Sequence, residues 1–257
     1  MSKISAYIIV YNDEHNIGDA VSSVLWADEV VVVDSFSSDR TVEIARDLGA
    51  RVVQVPFEGF GRLRTSAIAS TSHEWVFSLD SDERCTEAAR DEMLRIVAAA
   101  DAADAYYVPR RNVFMGRWIR HCGFYPDYRQ PQLFRRNAMT FDEAMVHEGY
   151  TVHGRTAYMQ NFIWQFPYRD LSQLIGKMER YSSLGARKLA DRGRSATMMT
   201  AFVHGLVAFF RIYLFKLGFL DGWPGFVISF ANFEGTFYRY AKRAEMARPG
   251  AGMNKVL

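Results

Sequence analysis

The sequence predicts an α/β fold: a mostly parallel sheet flanked by helices, followed by a helical C-terminal region. Three observations predict it. In the first 80 residues, short Val/Ile-rich runs alternate with helical patterns, as expected of parallel strands buried on both faces. Polar clusters follow the first, second and fourth of those runs. From about residue 171 the pattern becomes helical and aromatic. With 257 residues and 49% hydrophobic content, the chain can bury a large core with a helical appendage. The expected division is an α/β domain over 1–165 and a helical region over 166–257.

Taken in order, 4–10 reads as a strand, 16–26 as a helix and 29–33 as a second strand. Helix 40–48, strand 51–55, helix 62–70 and strand 75–79 follow. The middle, 106–158, has β-leaning pieces at 105–108 and 131–134 amid many Arg, His and aromatic residues. Beyond residue 171 helical patterning continues to about 248. No internal repeat or low-complexity segment interrupts it.

Charge and cysteine content narrow the class. Thirty-one Lys and Arg against twenty-nine Asp and Glu leave a net charge of +2, which gives no argument for nucleic acid as a partner. Cys85 and Cys122 make no disulfide framework and lack metal-ligand spacing, which suits a reducing cytoplasm. The chain runs from Met1 almost directly into a strand, so no secretion leader is expected.

The most informative run is Trp75-Val76-Phe77-Ser78-Leu79-Asp80-Ser81-Asp82-Glu83. An apolar strand ends in two carboxylates one residue apart, with a third behind. Alternation along an extended chain puts Asp80 and Asp82 on one side. Anions so close repel unless a cation or proton lies between them. A hard divalent ion held by few carboxylates commonly takes substrate phosphates as further ligands. The other reading is a solvated turn, where Asp and Ser are common. Two further polar loops favour the site: Tyr11-Asn12-Asp13-Glu14 after the first strand, and Asp34-Ser35-Phe36-Ser37-Ser38-Asp39 after the second. Parallel sheets bind ligands outside the carboxyl ends of their strands, where all three loops fall.

Tyr-Asn at the end of the first strand, Val-Asp-Ser-x-Ser-x-Asp-Arg-Thr after the second and the later Leu-Asp-Ser-Asp-Glu resemble the nucleotide-sugar half of family 2 glycosyltransferases with the GT-A fold. The stretches Trp118-Ile119-Arg120-His121-Cys122-Gly123-Phe124-Tyr125-Pro126-Asp127, Val146-His147-Glu148 and Gly218-Phe219-Leu220-Asp221-Gly222 resemble a narrower subgroup. That subgroup is the bacterial lipopolysaccharide core glucosyltransferases acting on inner-core heptose. The resemblance implies an inverting transfer of a hexose, with glucose expected, from a UDP-sugar to a lipopolysaccharide or other glycolipid acceptor. It also implies a divalent metal, Mg2+ or Mn2+.

Carried over by residue, the resemblance gives Tyr11, Asn12 and Glu14 to the donor loop and Asp34 to the uracil edge. It makes Asp82 a direct metal ligand and points Asp80 toward the ribose or a metal-bound water. Asp39 reads better as a helix N-cap. Arg62 or Arg64 would lie near the pyrophosphate, or either could be a solvated helix charge; Thr65 and Ser66 stand where many relatives have Asn. Glu148 is the expected general base, with Asp127 and Asp142 in reserve. His147 is a candidate third metal ligand or acceptor contact, and Arg120 and His121 are candidate acceptor contacts. Both histidines could instead be structural. Arg110, Arg111, Arg117, Arg120, Arg129, Arg135 and Arg136, interleaved with Tyr and Trp, suit an anionic acceptor if they cluster, or are surface charge over packed aromatics.

Residues 201–220 are apolar yet carry His204, Arg211 and Lys216, more charge than a spanning helix favours. A break at Asp221-Gly222-Trp223-Pro224 precedes a second aromatic-rich helix over 226–240 with basic residues at its end. This pattern fits a protein peripheral on the cytoplasmic face of the inner membrane, or a hairpin packed on the rest of the chain or on a second copy in a homo-oligomer. Two other functions remain open at this stage. A nucleotidyltransferase or dinucleotide enzyme could use a similar sheet, although no Gly-x-Gly-x-x-Gly or Walker sequence occurs. A non-catalytic nucleotide-sugar-binding or scaffold protein is the other.

Overall fold

The structure, a computed structural model, describes residues 2–142 and 149–247. The chain forms two compact units: residues 1–111 with 126–166, and residues 112–125 with 167–257. The first unit begins with β1 (Ile4–Val10), α1 (Ile17–Ser22), β2 (Glu29–Asp34), α2 (Thr41–Asp47), β3 (Arg51–Gln54), α3 (Phe60–Ala69) and β4 (Trp75–Asp80). It continues with β5 (Glu83–Cys85), α4 (Glu87–Ala98) and β6 (Ala105–Tyr107). β7 (Arg110–Phe114) carries the chain into the second unit, where β8 (Arg117–Trp118) pairs with it. β9 (Pro131–Arg135), β10 (Met139–Phe141), β11 (Tyr150–Val152), β12 (Thr156–Tyr158) and β13 (Ile163–Gln165) complete the first unit. The helices α5 (Leu171–Asp191), α6 (Met198–Phe210) and α7 (Trp223–Met246) belong to the second.

The sheet of the first unit has the order β12-β6-β9-β4-β1-β2-β3. β3, β2, β1 and β4 run parallel, and β9 is antiparallel to β4. Alternation decides which face each β1 residue serves. Ile4, Ala6, Ile8 and Val10 pack with α1 and α4, while Tyr7 and Ile9 pack with Leu63 and Ala67 of α3. Register places the loops: Val10 lies beside Asp34, and Ile9 beside Asp80. The segments after β1, β2 and β4 therefore leave one edge of the sheet together.

The strands expected in the first 80 residues form within one residue of their expected ends. α1 stops at Ser22, shorter than the 16–26 expectation, because the chain turns through Val24 and Ala27 toward β2. β5 and α4 were not anticipated. Their signal was legible: Thr86 accepts from the Ala89 N–H at 3.1 Å as an N-cap, and Ala89, Met93 and Val97 make a buried helical stripe.

In the second unit, α6 packs on α7 through Gly205, where an added Cβ would lie 3.0 Å from the Phe233 ring. The expected break near residue 221 is present. After α6 the helix loosens into a π turn over Arg211–Phe215, a short 3₁₀ turn follows over Gly218–Asp221, and α7 restarts with Pro224 in its first turn. Met198–Phe215 is long and apolar enough to cross a membrane by length and composition.

Candidate active site

The three loops at the sheet edge are stitched together by their own polar groups. The Asn12 backbone lies in the left-handed region at φ 47°. Its N–H donates to Ser37 Oγ at 2.8 Å, and its side-chain Oδ1 accepts from the Ser38 N–H at 2.8 Å. The Glu14 N–H donates to Asp39 Oδ2, and the Arg40 N–H donates back to Glu14 Oε2, both at 3.1 Å. Asp39 also accepts from the Thr41 N–H at 3.0 Å, so it holds the start of α2 and the first loop at once. Asp13 binds the third loop: its Oδ2 accepts from Ser81 Oγ at 2.6 Å, while Oδ1 accepts from Asn16. Tyr11 and Phe36 are left 63% and 56% exposed, aromatic faces open to a flat ring.

Asp34 is fully buried. Its oxygens accept from the Ser37 N–H and, at 3.1 Å, from Gln54 Nε2. The carboxylate expected at a base edge is thus engaged inside the second loop, fixing the turn that presents Phe36 and Ser37.

Asp80 and Asp82 follow β4, on one side of the β1 loop, and a buried network stands behind them. Arg64, 5% exposed, donates from Nη2 to Asp80 Oδ1 at 2.9 Å and from Nη1 to Ser78 Oγ at 3.2 Å. Glu83 and Arg110 form a second pair, both buried. Glu83 Oε2 accepts from the Asp80 N–H and from Gln132 Nε2, each at 2.9 Å. Gln132 in turn donates to Ser78 O at 3.1 Å. Two arginines face two carboxylates, so the network is neutral in sum and can stay buried. Burial pushes the Asp80 carboxyl up, but Arg64, with Arg110 and Arg129 behind it, outweighs burial and holds its pKa below the ordinary value.

The donor set suits a hard cation. Asp80 keeps its side chain 31% accessible with one oxygen beyond the Arg64 contact, and Asp82 is half-buried at the turn. Gln165 Nε2 lies 3.5 Å from Asp82 Oδ2, and Gln165 Oε1 is buried with no hydrogen-bond partner among the described residues. The Asp80 and Asp82 carboxylates are the kind of hard oxygen donor that Mg2+ or Mn2+ takes. Among the described residues no three His, Cys, Asp or Glu side chains gather as a protein-only metal site. His147 and Glu148 lie outside the described residues.

The other expected site residues separate. Arg62 is exposed and pairs with Glu58 at 2.8 Å, while Arg64 is buried and reaches Asp80. Of the seven arginines expected to cluster, Arg117 and Arg120 belong to the second unit, and the five of the first unit are each engaged by a different group. Arg110 is buried on Glu83; Arg129 pairs with Asp127 at 3.1 Å; Arg135 lies 4.6 Å from the Trp75 ring and pairs with Glu74; Arg136 donates to Ala69 O; Arg111 lies 3.5 Å over Phe162. Arg120 and His121 belong to the second unit. Asp221, 4% exposed, accepts the backbone N–H of both and faces His121 Nδ1 at 3.0 Å. Gln54, Gln132 and Gln165 carry no signal in the sequence, and Asp13 stands there only as one of a polar run; the network geometry singles them out.

The family model for Glycosyl transferase family 2 matches residues 5–163, which contain the sheet and all three loops. The chain belongs to glycosyl transferase family 2. It is similar to an uncharacterized glycosyltransferase of Rickettsia typhi, 28% identical over 96% of this chain and 88% of that one. It is also similar to the lipopolysaccharide core biosynthesis glycosyltransferase LpsC of Rhizobium meliloti, 27% identical over 94% of each. Among solved structures, glucosyl-3-phosphoglycerate synthase from Mycobacterium tuberculosis, in complex with Mn2+, UDP and glucosyl-3-phosphoglycerate, is 26% identical. That match covers 43% of this chain and 44% of that one, with a TM-score of 0.38. Family membership makes the chain a glycosyltransferase and its α/β unit a GT-A fold.

Proposed function

We propose that this glycosyltransferase moves a hexose, with glucose the expected sugar, from a UDP-sugar to a hydroxyl of a lipopolysaccharide inner-core or other glycolipid acceptor. The reaction takes place at the cytoplasmic face of the inner membrane and inverts the anomeric carbon. The observation that carries the donor half is the stitched three-loop rim, with Asp80 and Asp82 on its β4 side and Arg64 buried behind Asp80. The acceptor class is supported by the similarity to LpsC over nearly the whole chain.

The residues divide the work. Tyr11 and Phe36 offer exposed faces to the base, and the hydrogen bonds around Asn12, Asp34 and Asp39 hold those loops before the donor arrives. Asp82 and the second oxygen of Asp80 would hold Mg2+ or Mn2+, which when bound stabilises the charge growing on the leaving diphosphate. Arg64 fixes Asp80 in one orientation and keeps it ionised. Glu148, expected from its Val-His-Glu motif, accepts the proton of the attacking hydroxyl.

The test is thermal stabilisation by UDP, GDP, CMP, ADP and NAD, each with Mn2+ or with chelator. A ligand at one hundred times its Kd stabilises the folded state by about 2.7 kcal/mol. The shift is expected to be selective for UDP, to need Mn2+, and to vanish in Asp82→Asn. In Glu148→Gln donor binding is expected to persist while transfer collapses. Stabilisation by ADP or NAD, or a UDP shift indifferent to both chelator and Asp82→Asn, overturns the reading.

A further inference from the structure

Helix α6 turns apolar residues outward. Val203, Val207, Phe210 and Leu214 recur at the spacing of one helix face, and all are 45–59% exposed. The stripe runs into the corner over 215–223. There Phe215 is 82% and Trp223 76% exposed, and Leu217, Phe219 and Leu220 are 44–53% exposed. So continuous an exposed apolar surface marks an interaction site.

Three cations border the same corner. The Lys216 ammonium lies against Gly123, where an added Cβ would come within 2.4 Å of Nζ; Arg117 lies against Gly222, where Nη1 would be 3.0 Å away. The Arg120 guanidinium lies 4.4 Å over the Trp118 ring. Among the described residues none of the three has a carboxylate partner. Within residues 112–125 and 211–223 the single carboxylate is Asp221, which is buried and saturated by the Arg120 and His121 N–H groups and by the imidazole. The corner is therefore apolar at its face and uncompensated positive at its edge. A second copy of the chain fits it poorly, since a two-fold contact would set these cations against themselves. Lipid phosphates beside an acyl boundary fit both features.

We propose that the α6 stripe and this corner rest on an anionic bilayer surface. Phe215, Leu220 and Trp223 enter the acyl boundary, and Arg117, Arg120 and Lys216 take lipid phosphates. This deepens the reading of a membrane-borne acceptor by naming where the chain meets the membrane. Donor binding, measured in parallel, separates failure of the one from failure of the other.

The experiment is flotation of the full chain with vesicles of phosphatidylcholine alone or mixed with phosphatidylglycerol, for wild type, F215S/W223S and R117Q/K216Q. UDP-dependent thermal stabilisation reports that each variant is folded. Wild type is expected to float with the mixed vesicles and to be released by alkaline carbonate. R117Q/K216Q, which changes two exposed charges, is expected to lose affinity for mixed vesicles by about fivefold per charge. F215S/W223S is expected to lose binding to both vesicle types. The proposal is overturned if wild type stays with the unbound fraction, if R117Q/K216Q floats like wild type, or if carbonate fails to release the chain, which would mean a spanning helix. Dimerisation abolished by F215S/W223S without any flotation would assign the face to a second copy and overturn it equally.

Discussion

Replacing Arg64 by Met removes one partner of a buried ion pair and keeps most of the side-chain volume. Breaking a fully buried pair in this way costs about 3–5 kcal/mol, because the remaining charge is stranded. Arg64 is 5% exposed, but the Asp80 side chain is 31% accessible, so water recovers part of the loss. An expected cost of about 2–3 kcal/mol at pH 7 lowers Tm by roughly 5–10 °C for a chain of this size. The sign with pH is fixed by Asp80. Its folded pKa is depressed, so its contribution is fully present above the unfolded carboxyl value of about 3.9 and is lost as pH falls through the folded one. In Arg64→Met burial acts unopposed by that guanidinium and raises the same pKa. The Tm gap between wild type and variant should therefore be widest near neutrality and close in acid. Arg64→Lys, with charge but no planar fork to span Asp80 and Ser78, should fall between the two. Melting curves by circular dichroism from pH 7 to pH 3 measure this directly. A gap below 1 °C at pH 7 on the scale just given, or one of constant size across the range, would refute the account of Asp80.

Glu29 accepts from Ser5, Arg51 and Ser72. Although burial pushes it up, these donors bring its pKa down to about 2. After discounting for partial access to water, its depressed pKa should contribute about 1–2 kcal/mol above pH 4.3, lost as pH falls toward 2. Glu29→Gln should flatten the acid limb of the stability profile, measured as Tm against pH. Gly225→Ala would set a Cβ 1.9 Å from Gly218 O and should cost at least about 3 kcal/mol, seen as loss of soluble, cooperatively melting protein. Gly176→Ala in α5 meets nothing within 4 Å and should gain about 0.5–1 kcal/mol in the same assay. Asp221→Asn leaves one of three donors facing an amide N–H and should destabilise by about 1–3 kcal/mol, read from urea midpoints.

Much of this was legible because it rests on local patterns. Continuous Val/Ile runs can only be strands buried on two faces, and parallel strands must send their carboxyl ends to one edge. That alone placed the loops beginning at Tyr11, Asp34 and Asp80 side by side. Residue chemistry then made Asp80 and Asp82 the candidates for a cation; Asp39, expected as the N-cap, stands one residue before the N-cap Arg40 and holds the start of α2 through the Thr41 N–H. Thr86 caps a helix that starts directly after the acidic run and buries only Ala89, Met93 and Val97, a sparse apolar stripe.

Tertiary structure decided what depends on who reaches whom across long sequence separations. Arg62 and Arg64 are equivalent in composition, yet helix phase points one at solvent and Glu58 and drives the other beneath Asp80. Glu83 and Arg110 are 27 residues apart, and no spacing rule predicts that they neutralise each other behind the rim. His121 and Asp221 are separated by 100 residues, and only folding joins two motifs that sequence could set merely side by side. Sequence by itself determined the four parallel strands, the edge where their loops meet and the kind of chemistry the loops can do, since periodicity and side-chain type are local. The pairing of charges, and which carboxylate faces solvent, were decided by the tertiary structure, because a buried charge is tolerated only where a distant partner arrives to meet it.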